Sequence, residues 1–141
     1  MISNVRILIT LMFIIAVSTT AQADSERDKN IKALNNLQHE MTTCVAFYAI
    51  SRECMFKKDD PDTDKIDKIT KTLSSHFVEI GVGIGLSQDA ITSRLHMEMD
   101  KMTELLNKNC MNISSLLDRY ALRCKKITEN PDSILHEYLQ K

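Results

Sequence analysis

The chain has 141 residues, with 18 Lys+Arg against 19 Asp+Glu and a net charge of −1. That balance excludes a general attraction to nucleic acid or to an anionic lipid surface, and no run of like charges forms a tail. With three Gly, two Pro, no Trp and 5% aromatic residues, the composition favours helix throughout, and the fold class expected is all-α.

The first element in chain order is a leader. Arg6 precedes an apolar run over residues 7–17, and Ala21-Gln22-Ala23 follows. A basic start, a short apolar core and a small-x-small site form a secretory signal peptide. The expected organisation is a cleaved signal peptide at 1–23 and a single helical domain at 24–141. The apolar run is well short of the roughly 20 residues that cross a bilayer. Ser18, Thr19, Thr20 and Gln22 do not suit lipid, so no stable membrane span is expected after cleavage. No cysteine precedes Cys44, which leaves no lipidated N-terminal cysteine after cleavage. The expected location is the periplasm or the exterior.

A first helix is expected over 25–57. Ile31, Leu34, Leu37, Met41, Cys44, Val45 and Tyr48 recur every three or four residues and make one apolar stripe. It should stop near Lys57-Lys58, where two cations meet its negative end. Asp60 can cap the second helix, Pro61 fits its first position, and Asp62 and Asp64 suit its positive end. Ile66, Ile69, Leu73, Phe77 and Ile80 give its buried face, and it loosens through Gly81-Val82-Gly83-Ile84-Gly85. Ser87 caps a third helix that buries Ile91, Leu95, Met99, Met102, Leu105 and Leu106. Three Asn between Asn107 and Asn112 suggest a turn, yet the stripe runs on through Ile113, Leu117, Tyr120, Cys124 and Ile127, so one long kinked helix competes with it. Asn130-Pro131-Asp132 opens a short last helix over about 131–140, docked by Ile134, Leu135 and Tyr138. The whole reads as a small disulfide-stapled bundle of four or five helices.

Four cysteines behind an export leader point to two disulfides. Cys44 and Cys54 lie ten residues apart on one helix, roughly 15 Å along its axis, and cannot pair when Cα atoms must approach within about 7 Å. Cys110 and Cys124 meet the same objection if they share a helix. If the chain reverses in the Asn-rich segment, the third helix brings Cys110 level with Cys54, and its successor brings Cys124 level with Cys44. The pairing is then nested, Cys44–Cys124 and Cys54–Cys110. A helix continuing past Cys110 would favour the crossed pairing instead. Cys44 and Cys54 on one helix resemble one arm of the twin Cys-x9-Cys hairpins of small oxidised proteins. The likeness ends there, because thirteen residues separate Cys110 from Cys124, and it implies no function.

Motifs that carry chemistry are sparse. The sequence holds no Cys-x-x-Cys, no His-Glu-x-x-His and no phosphate loop. Gly81-x-Gly83-x-Gly85 lacks the βαβ context and the spacing of a dinucleotide loop and reads as a helix end. His76 and Glu79 could form an acid–base pair, but two residues do not define a site. Lys57-Lys58 and Lys125-Lys126 could form a small basic patch, though cations there suit helix C-termini better. Asn112-Ile113-Ser114 is a glycosylation acceptor in a eukaryotic secretory pathway. His96, Met99 and Met102 are the most interesting cluster: imidazole and thioether ligands suit Cu(I), and the two Met share a helix face. Against that, Met99 and Met102 fill core gaps as methionines commonly do.

The expected function is therefore that of an exported, non-enzymatic, protein-binding module of the inhibitor, immunity or chaperone-like kind. The alternative is a periplasmic copper or small-ligand carrier using His96–Met102. No catalytic, cofactor-binding or metal-binding residue is assigned, no cofactor is expected, and the expected partner is another exported protein rather than nucleic acid.

Overall fold

The computed structural model describes the backbone of residues 2–56 and 60–141 and the side chains of residues 22–56, 60 and 62–141. Among the described residues there are five α-helices and no strand: α1 (Ile2–Met55), α2 (Pro61–Gly83), α3 (Gln88–Leu105), α4 (Ile113–Glu129) and α5 (Pro131–Leu139), with a 3-10 turn at Cys110–Asn112 before α4. No helix among the described residues is long and apolar enough to cross a membrane. The chain divides into two compact units, Met1–Lys32 and Ala33–Lys141.

The first unit is helical from Ile2, and its described side chains, residues 22–32, are all exposed. Two expectations change here. Helix begins well before residue 25, and Ile31 is 39% exposed instead of buried, because the core starts at Ala33. The side chains of the leader up to Ala21 lie outside the described residues, as do Lys57, Lys58 and Asp59.

In the second unit, α1 is the central helix. A single stripe was expected, but Cys44, Val45, Ala46 and Phe47 are all buried in succession, so this stretch is covered on every side. The same enclosure buries Gln38, Thr42 and Ser51. Thr42 satisfies its hydroxyl by donating to the Gln38 carbonyl at 2.8 Å. Gln38 accepts from Arg94 of α3 at 2.7 Å through Oε1, while its Nε2 and the Ser51 hydroxyl have no hydrogen-bond partner.

The other helices close around α1 with chemistry written into their ends. Asp60 accepts from the Asp62 backbone N–H at 2.9 Å, and Pro61 begins α2. α2 stays helical to Gly83 and does not loosen at Gly81. A Cβ on Gly81 would lie 2.8 Å from Ile91 Cδ1, so that glycine is what lets α2 and α3 approach. Gly85, at φ +86°, supplies the left-handed turn. Ser87 caps α3 by accepting from the Ala90 N–H at 3.2 Å. Leu73 and Phe77 of α2, Ile91 and Met102 of α3, Leu116 and Ile127 of α4 and Ile134 of α5 complete the core.

The Asn-rich segment does break the helix. Asn107 and Lys108 both adopt left-handed backbone, φ 52° and 57°, and Asn109 then accepts from the Met111 N–H at 3.1 Å. Two successive residues in this region turn the chain back, a conformation that asparagine tolerates and lysine does not favour. The return places Cys124 against Cys44 and Cys110 against Cys54, each pair with Cα atoms 5.3 Å apart and disulfide-bonded.

Candidate functional site

Among the described residues, the densest polar construction sits where α1, α4 and α5 meet, beside the Cys44–Cys124 bridge. Arg123 of α4 donates through Nε and Nη2 to the two carboxylate oxygens of Glu40 on α1, both at 2.9 Å. Its Nη1 reaches Glu137 of α5 at 3.0 Å. Glu137 also takes a hydrogen bond from Lys126, and the Tyr138 hydroxyl donates to Glu40. A planar guanidinium bound bidentately to one acid and singly to another fixes three helices at one point.

The network shifts its own members. Hydrogen bonding to Glu40 above all, and then to Glu137, holds Arg123 even more firmly protonated than a free guanidinium. Lys126, and then Arg123, hold the Glu137 carboxyl below its usual range. Burial first, and the Glu40 hydrogen bond second, raise the Tyr138 phenol. Glu40, with three donors on it, is fully employed in holding the fold.

Next to this network lies a groove of about 330 Å³ between α1 and α4. His39, Glu40, Thr43 and Cys44 line it from α1, and Arg119, Tyr120, Arg123, Cys124 and Ile127 from α4. Its floor is the buried disulfide and Ile127. The Tyr120 ring rests on Phe47 with centroids 6.2 Å apart, which holds it in place. His39 Nε2 lies 3.9 Å from the Glu98 carboxylate of α3, and Lys101 lies 3.5 Å from the same carboxylate.

Of the residues named in the sequence, Cys44, Tyr120, Cys124 and Ile127 line this groove and Lys126 and Tyr138 join the network, but the candidate metal and acid–base residues do not gather here. Met102 is wholly buried, Met99 packs against the core and His96 is exposed, so the three occupy different environments. Helical phase explains it: Met99 and Met102 lie on the core side of α3, while His96 and Met97 turn out. His76 and Glu79 are both exposed on α2. Lys126 is engaged with Glu137, and Lys125 lies 3.9 Å from Glu129. Asn112 precedes α4 and makes no capping hydrogen bond through its side chain. Among the described residues, no group of three or more His, Cys, Asp or Glu is placed to hold a metal ion.

The Glu40–Arg123 pairing carried no local signal, since the two are 83 positions apart, and Cys44, Tyr120, Cys124 and Ile127 were legible only as cysteines or as members of apolar stripes. The one available hint was Arg119 and Arg123, four apart on a helix and therefore on one face. No protein-family model matches the chain, and no curated protein or solved structure is significantly similar to it.

Proposed function

We propose that this is an exported, non-enzymatic, protein-binding module, of the inhibitor, immunity or chaperone-like kind, delivered to the periplasm or exterior by a leader cleaved after Ala23. The observation that carries the reading is the α1–α4 groove. It is open, it stands on a buried disulfide, and its one carboxylate, Glu40, is held by Arg123 and Tyr138. A carboxylate so engaged serves poorly as a general acid or base, whereas a fixed surface with little freedom to lose is well suited to binding. Two disulfides support an oxidising compartment. The copper alternative gains nothing from α3, where the Met102 thioether is sealed in the core.

Chemical crosslinking of the full chain in the exported-protein fraction of its source, read by mass spectrometry, tests the binding role. One saturable partner is expected, and recovery of none would overturn it. N-terminal sequencing of the exported product tests the leader. A start at Asp24 is expected, and a cytoplasmic product retaining Met1 would defeat it.

A further inference from the structure

We propose that the α1–α4 groove receives an acidic segment of a protein partner, with the Arg119 guanidinium taking its carboxylate and the half-buried Tyr120 ring taking a neighbouring apolar side chain. This rests on the protein-binding reading and adds the chemistry of the partner.

The argument is one of unmatched charge. Within the groove, Arg123 is balanced by Glu40 and Glu137. Arg119 is exposed and has no ion-pair or hydrogen-bond partner among the described residues. The Tyr120 hydroxyl beside it is likewise without a hydrogen bond, while its ring is held against Phe47. The groove thus offers a free bidentate donor and a free O–H, and no acceptor charge of its own remains to answer them. A carboxylate answers both, since guanidinium and carboxylate match in planar geometry. The half-buried Tyr120 ring next to these donors gives such a ligand a second point of attachment, which a small inorganic anion would not use. A single unmatched arginine is also too little for a polyanion, which needs several phosphate contacts to hold at physiological salt.

The test selects a phage-displayed library of random dodecapeptides on the full chain with both disulfides formed. Enriched sequences should carry Asp or Glu beside an apolar residue. The matching synthetic peptide should lose at least about tenfold in affinity for Arg119→Glu, lose a smaller part for Arg119→Lys, which keeps the charge but not the planar fork, and lose a factor similar to that of Arg119→Glu when its own acid is changed to the amide. Arg119 is exposed, so each variant should melt with the wild type, which separates lost binding from lost folding. Enrichment of peptides without acidic residues, no enrichment at all, or equal affinity for Arg119→Glu would overturn the proposal. If the crosslinked partner binds Arg119→Glu as tightly as wild type, the groove assignment falls and the binding role stands. If the full chain crosslinks to no exported protein, the binding role falls with it.

Discussion

The two disulfides both tether α1 over the same 5.3 Å Cα separation, one to α4 and one to the 3-10 turn before it, but they lie in different surroundings. Cys44 and Cys124 are each 1% exposed, enclosed by the core and flanked by the Arg123 network. Cys54 is only partly buried and Cys110 is exposed, at a corner where the chain passes through two left-handed residues. Their loops span 80 and 56 residues. Loop entropy grows only as the logarithm of length, so it gives each bridge about 4 kcal/mol and separates them by a few tenths at most. Any larger difference must come from the folded state: the inner bridge fills space among helices, and the outer one clamps a turn.

The largest effect should follow from removing the inner bridge. Cys44→Ala with Cys124→Ala should cost more than about 4 kcal/mol, since a core void adds to the lost cross-link. Denaturant unfolding measures it, and an equal loss for the outer pair would show that burial does not separate the two. Cys54→Ala with Cys110→Ala should cost about 2–4 kcal/mol. Graded reduction followed by peptide mapping should sharpen the contrast, with Cys54 and Cys110 alkylated before Cys44 and Cys124. The opposite order would refute the account.

Arg123→Ala tests the polar flank of the inner bridge. The side chain is 37% exposed, and after discounting for solvent screening a loss of about 1–2 kcal/mol is expected in the same unfolding assay. At the outer corner the sign should reverse. Lys108→Gly relieves a left-handed backbone that lysine disfavours and should stabilise by up to about 1 kcal/mol. A loss there would mean that the Lys108 side chain holds the turn.

The smallest effect is the pH response of the inner flank. The folded pKa of Glu137 lies below its ordinary 4.5 because Lys126 and Arg123 favour the carboxylate. Its stabilisation is therefore present above that value and is lost as pH falls through the lowered folded pKa. Acid titration of the melting temperature should flatten in Glu137→Gln. The Tyr138 phenol, raised by burial and by Glu40, acts oppositely. Its contribution is present below pH 10 and declines above it, and Tyr138→Phe should remove that alkaline slope.

What could be read from the sequence was what local chemistry decides. Asp60-Pro61, Ser87 and Asn130-Pro131 start helices because capping needs only a side-chain oxygen and a free N–H a few residues on. The break after Leu105 was half visible: asparagines marked it, but the apolar stripe crossed it, and Lys108 gives no sign of a left-handed backbone. The enclosure of α1 was hidden, because Gln38 and Thr42 look like a solvated face until Arg94 of α3 arrives to bond Gln38. The Arg123 network was hidden for the same reason. Charged residues on separate helices declare nothing until tertiary packing chooses their partners.

Asn130 closes one helix and opens the next. Its N–H bonds to the Lys126 carbonyl at 2.9 Å, and its side-chain oxygen accepts from the Ser133 N–H at 3.0 Å. A single residue thus sets the phase of α5 against α4, like one tooth shared by two gears. One residue inserted after it would rotate everything downstream by about 100°. Glu137 would swing away from Arg123 and Lys126, and Tyr138 from Glu40. The joint therefore has no slack, and its length should tolerate change far less than its composition does.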